Sequence, residues 1–175
     1  MKFLRCAAIA SLAFLGACAT TTAPPITLTS SYSPYAHMVR PGQGGISGNA
    51  LLRTVGGDAK TCAGFPVQLM PDTPYVRERM THIYGNAERG YGAPGRQFSP
   101  PNSHYQTEAG QRATCDAQGN FEFSNIEDGS YYLVSIVYWG VPTGGQFSTI
   151  SQQGGSLMQR VTVSGGRTVR VVLTQ

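Results

Sequence analysis

Nine consecutive residues, Tyr131 to Trp139 (YYLVSIVYW), constrain this chain more than any other stretch. The run is too long and too rich in β-branched and aromatic side chains for a surface strand, so it reads as a central strand of a sheet. The residues before it read as the approach to that strand. Arg112 to Asp116 predicts a strand, Ala117-Gln118-Gly119-Asn120 a turn and Phe121-Glu122-Phe123 an alternating return strand. These two strands are expected to pair through the turn. Ile126 to Ser130 then bends the chain into the central run.

Further strands are expected on both sides. Ile46 to Arg53 alternates loosely after a Gly-rich opening, and Pro66 to Met70 places Val67 and Leu69 on one face. Ser156 to Val163 and Arg167 to Leu173 flank Ser164-Gly165-Gly166, the pattern of a hairpin. Val161, Val163, Val169, Val171 and Leu173 take its inward positions, while Arg160, Thr162, Thr168 and Arg170 face water. Thr73-Pro74 gives an N-cap with proline at the first helical position, and Val76, Met80, Ile83 and Tyr84 then share one helical face up to Gly85. Asn86 to Gln111 and Gly140 to Gly155 are Gly-rich and polar and read as loops. Ala19 to about Gly45, rich in Thr, Ser and Pro, reads as a solvated tether.

The order Cys115-Asp116-Ala117-Gln118-Gly119-Asn120-Phe121-Glu122-Phe123, followed after a spacer by Asp128-Gly129-Ser130-Tyr131-Tyr132-Leu133, resembles the carboxypeptidase regulatory-like domain. That family's usual form is D-x-x-G-x-F-x-F and then G-x-Y-x-L. The resemblance implies an all-β fold, a single sandwich of immunoglobulin or transthyretin type. With strands near Ile46, Val67, Arg112, Phe121, Tyr131, Val161 and Val169 it would hold about seven, with one short helix in an inserted loop over residues 71–111. Such a scaffold serves many activities and names none of them.

The N-terminus constrains location. Lys2 and Arg5 precede an apolar core from Cys6 to Leu15, far shorter than the roughly 20 residues a bilayer-spanning helix needs. Leu15-Gly16-Ala17-Cys18 resembles the lipobox of bacterial lipoproteins, which implies cleavage after Ala17 and a lipid on Cys18. Ala19 in the next position resembles the default for sorting to an outer membrane. Three segments are therefore expected: signal peptide 1–17, tether 18–45 and sandwich 46–175. Loss of the signal removes two of the 13 basic residues and none of the nine acids, which brings the formal charge of +4 down to +2. So small a surplus, on an exported chain, argues against a nucleic-acid partner. Cys6 leaves with the signal and Cys18 carries lipid, so Cys62 and Cys115 remain and should pair in an oxidising compartment.

His37, His82 and His104 are scattered over the tether, the expected helix and the long loop, so neither a metal site nor a cofactor is expected. The H-x-H pattern of the intradiol dioxygenases, which share this scaffold, is absent, and so is the Tyr-Arg-Gly-Ser ending of the hydroxyisourate hydrolases. No G-x-S-x-G elbow occurs, and Glu127-Asp128 reads as turn chemistry. Tyrosines and arginines gather instead between Pro71 and Cys115, a mixture enriched at binding surfaces. Tyr84, Arg89, Tyr91, Arg96, Phe98 and Tyr105 form the candidate binding surface. The expectation is a non-enzymatic, lipid-anchored envelope module that binds a protein or a glycan. Its rival is a small hydrolase or metal-dependent oxygenase with a site built from residues 71–111.

Overall fold

The computed structural model describes residues 28–33, 36, 38–93, 110–144 and 149–175. Two sheets pack face to face, as the sequence leads one to expect of a β-sandwich. The first is built on β1 (Pro41–Arg53), which pairs antiparallel with β6 (Asn120–Ile126) on one edge and parallel with β9 (Thr168–Leu173) on the other. The short β2 (Ala59–Thr61) continues the pairing at the end of β1. The second sheet is antiparallel, in the order β4 (Arg89–Gly92), β8 (Thr149–Val163), β7 (Gly129–Thr143), β3 (Pro66–Pro71), β5 (Gln111–Thr114).

Alternation fills the space between the sheets. Ile46, Ala50 and Leu52 of β1, with Phe121, Phe123 and Ile126 of β6, meet Val67, Leu69, Leu133, Val137, Leu157, Val161 and Val163 of the opposite sheet. The central strand is β7, and it is central in two senses. β3 and β8 flank it in the sheet, and its outer face is covered by the helix α1 (Pro74–Tyr84). Tyr75, Val76, Met80 and Ile83 of α1 pack over Met70, Tyr132 and Met158 to form a second, smaller core. Each such buried side chain is worth about 1.5–3 kcal/mol relative to exposure, so the helix is part of the fold. Thr73 caps it by accepting from the Val76 amide, and Gly85 ends it in the left-handed region at φ 71°.

Five expectations are corrected. The strands before and after the Ala117–Asn120 turn do not pair with each other: β5 joins β3 and β6 joins β1, so the turn passes the chain from one sheet to the other. The C-terminal hairpin fails likewise, since β9 crosses over to lie parallel to β1 while β8 pairs with β7. A local turn signal fixes where the chain reverses, whereas the partner strand is chosen by the whole inward face. Of the loop expected from Gly140 to Gly155, residues 140–143 and 149–155 are strand instead, paired from Gly140↔Gln152 out to Thr143↔Thr149, and residues 145–148 lie outside the described residues. Backbone pairing sustains these strands, and Thr143 Oγ1 donates to the Thr149 carbonyl at 2.8 Å. Finally β1 opens at Pro41, so the last residues assigned to the tether belong to the sandwich, and β4 occupies part of the expected loop after Gly85. The described residues form nine strands where about seven were expected.

Candidate functional site

On the outer face of the first sheet, alternation leaves a mostly polar set of side chains across three strands. β1 contributes Ser47 and Asn49, β6 contributes Asn120 and Glu122, and β9 contributes Arg170 and Val172. The register sets them in two rows. Ser47 lies opposite Glu122 on one side and Arg170 on the other, and Asn49 lies likewise between Asn120 and Val172. With strands about 4.8 Å apart, each row spans roughly 10 Å. Thr114 and Asp116 join them, and the groove so formed holds about 600 Å³.

Its end wall is a rigid turn. The Asp116 carboxylate accepts from the Gln118 and Asn120 amides at 2.9 and 2.8 Å and from Asn120 Nδ2 at 2.9 Å. Those hydrogen bonds, the Asn120 side chain first, hold the Asp116 carboxyl below its usual range. Gly119 sits at φ 83°, and a Cβ there would press on the Thr61 side chain at 2.6 Å. Asn49 Nδ2 donates to the Gln118 carbonyl at 2.8 Å and to Asn120 Oδ1 at 3.2 Å, which fastens β1 to the turn. The Cys62–Cys115 disulfide lies directly behind, with Cys62 Sγ 3.4 Å from the Gly119 carbonyl. The wall is thus pre-organised, while no described residue bonds the side chains of Glu122 and Arg170. The arrangement presents an acceptor-only carboxylate, a hydroxyl, amides and a forked cation to whatever enters.

Of the surface expected between residues 71 and 111, Tyr84, Arg89 and Tyr91 fall among the described residues. Tyr84 packs beside the second core and its ring rests on Gly90, where a Cβ would collide with it. Tyr91 packs against the main core and its hydroxyl donates to the Gly154 carbonyl at 2.7 Å. Arg89 is exposed on β4, and Arg96, Phe98 and Tyr105 lie outside the described residues. Asp72, its side chain 3% exposed, pairs with both Arg77 and Arg160 at 2.7 Å. Burial alone would raise its carboxyl, but the bonds from the two arginines outweigh that and hold it below the usual range. Over residues 71–92 the segment is therefore built into the sandwich and is not merely displayed from it. Its side chains cover Tyr132 and Met158 and tie the helix to β8.

No protein-family model matches the chain, the carboxypeptidase regulatory-like one included, and no curated protein does. Among solved structures, a crystal structure of a "putative carbohydrate binding protein" from Pseudomonas aeruginosa superposes with a TM-score of 0.63 at 30% identity. The match covers 81% of this chain and 94% of that one. The chain belongs to the same β-sandwich family as that protein.

Within that family setting, the groove is what the sequence reading passed over. Arg170 was assigned to water and Ser47 and Asn49 only to a strand, because their meeting depends on β9 lying parallel to β1. Alternation did signal the outward positions on each strand, but nothing local signals which strands are neighbours. Among the described residues, no three His, Cys, Asp or Glu side chains are placed to hold a metal ion. His82 is exposed on the helix, and His37 and His104 lie outside the described residues.

Proposed function

We propose that this protein is a glycan-binding module of the bacterial envelope, exported by residues 1–17 and held at the membrane, the outer one by the Ala19 pattern, through lipid on Cys18. The observation that carries the reading is the likeness to the Pseudomonas protein over nearly the whole of that chain. The groove supports it, since clustered amide, hydroxyl, carboxylate and guanidinium groups on a firm sheet suit a hydroxyl-rich ligand. The same observation favours a glycan over a protein as the envelope partner. The rival hydrolase or oxygenase built on residues 71–111 has no specific observation in its favour. Among the described residues no helix is long and apolar enough to cross a membrane.

The test is a glycan array probed with the purified protein, followed by calorimetry on the hits. Saturable binding to a defined glycan is expected, with the glycan recovered intact after prolonged incubation. Turnover of the glycan would establish the rival instead.

A further inference from the structure

We infer that the groove over β6, β1 and β9 is the glycan site and that it selects sugars bearing an acetamido group, the N-acetylhexosamines. This rests on the carbohydrate-binding reading and adds to it both the place and the ligand class.

The hydrogen bonds fix which groups are left to bind. Asn49 Nδ2 donates to the Gln118 carbonyl, a group that can only accept, so the orientation of the Asn49 amide is settled. Its second Nδ2 hydrogen goes to Asn120 Oδ1. Asn49 Oδ1 accepts from no described residue and is left in the middle of the groove as an acceptor.

Directly across the β1–β9 pair from Asn49 stands Val172. It is 53% exposed and is the one large hydrophobic so exposed among the described residues lining the groove. An isopropyl group set beside a free amide oxygen is an unusual wall for a ligand made only of hydroxyls. An acetamido group, by contrast, carries an N–H donor and a methyl on the two sides of one carbonyl. Asn49 Oδ1 can take the N–H and Val172 the methyl. Arg170, two positions before Val172 and on the same face, supplies donors for the carbonyl.

Charge and stacking narrow the class further. Asp116 is committed to its turn, and Glu122 and Arg170 sit on opposite edges of one row, so the groove carries no net attraction for an acidic sugar. Phe121 and Phe123 are both 4% exposed and turn inward, so binding does not rest on stacking against an aromatic ring from β6. Hydrogen bonds and one methyl contact therefore carry the selectivity.

The experiment titrates the full chain in detergent with a trimer of β-1,4-linked N-acetylglucosamine and with the matching glucose trimer, by calorimetry and amide chemical-shift mapping. One extra hydrogen bond and one buried methyl predict roughly tenfold tighter binding of the acetylated trimer. Val172→Thr keeps shape and strand preference and should cut that advantage about threefold, while Arg170→Ala should weaken the acetylated trimer without lowering the melting temperature. Shifts are expected at Asn49 and Val172. Equal binding of the two trimers overturns the acetamido selectivity and leaves the glycan reading standing. Shifts confined to the helix face, with both variants behaving as wild type, overturn the location. Failure of both trimers while another glycan binds removes the ligand class alone, and failure of every glycan removes the proposed function with it.

Discussion

Breaking the Cys62–Cys115 bond should cost the protein more than any other single covalent change outside the backbone. The two cysteines are separated by 53 residues, and Cys62 follows β2 of the first sheet while Cys115 follows β5 of the second. The bond therefore laces the two sheets together at one end. In the chain-entropy relation a closed loop of that size stabilises by about 4 kcal/mol, because the unfolded chain loses that freedom in advance. For a domain of this length, a loss of about 4 kcal/mol corresponds to a fall in Tm of about 10–15 °C. Both half-cystines are buried, at 0% and 4% exposure, so replacing them by alanine adds a small packing loss in the same direction. The assay is thermal unfolding of the Cys62→Ala/Cys115→Ala double variant by circular dichroism, beside wild type purified from an oxidising compartment. Because Cys115 immediately precedes Asp116, glycan affinity should weaken together with stability. A fall of less than about 3 °C would refute the reasoning, since the loop-closure contribution could not then be acting.

Three further outcomes are expected. Asp72→Asn removes the shared partner of Arg77 and Arg160 and should cost about 1–2 kcal/mol in urea unfolding, a modest figure because Arg77 is half exposed. Since the Asp72 carboxyl is held below its ordinary value of 3.8, the wild-type advantage over that variant should be present above that value and fade as the pH falls below it. Ile83→Ala, at a site 4% exposed under the sheet, should cost about 2–4 kcal/mol, and a neutral result would mean that the helix is an appendage. Cys18→Ala should abolish incorporation of labelled fatty acid and release the protein from the membrane fraction, and persistence of label would refute the lipid assignment.

The fold was legible in the sequence wherever the signal was local and periodic. The central run at Tyr131, the inward Val67 and Leu69, and the Thr73 to Gly85 helix all announce themselves, because burial face and cap are written in neighbouring residues. Pairing was not legible. The turn at Ala117–Asn120 and the one at Ser164–Gly166 have the residues of hairpins, yet both hand the chain across the sandwich. The choice rests on which apolar faces Phe121, Phe123, Val171 and Leu173 fill, a property of the assembled core. The groove inherits that opacity, because its two rows exist only once β9 has crossed to β1. The chemistry of its individual residues gave no warning, since Ser47, Asn49 and Glu122 each make an ordinary solvent-facing strand position.

The N-terminal segment was expected to be free up to about residue 45, and the contacts at α1 argue for a much shorter leash. Thr29 donates its amide and hydroxyl to one Glu78 oxygen, and the Ser30 amide donates to the other, all at 2.8 Å. These bonds, the Thr29 amide first, take the Glu78 carboxyl from 4.5 down to about 2. Leu28 and Tyr32 pack on the second core, and Tyr32 meets Tyr75 edge to face with centroids 5.4 Å apart. The chain thus leaves the domain on the helix side, opposite the groove. On the proposed anchoring, the ten residues from Cys18 to Thr27 reach at most about 35 Å, less than half of what a tether running to Arg40 would allow. The groove is then presented away from the membrane that holds the protein. Glu78→Ala preserves helix preference while removing the clamp, so amide exchange at Thr29 and Ser30 should rise sharply with little change in melting temperature. A depressed carboxyl contributes its stability above its ordinary value, so the wild-type contact should hold at neutral pH and be lost as pH falls from 4.5 towards about 2. Exchange at Thr29 and Ser30 that is the same in both proteins would show that the segment is held by Leu28 and Tyr32 alone, and the Glu78 clamp would have to be given up.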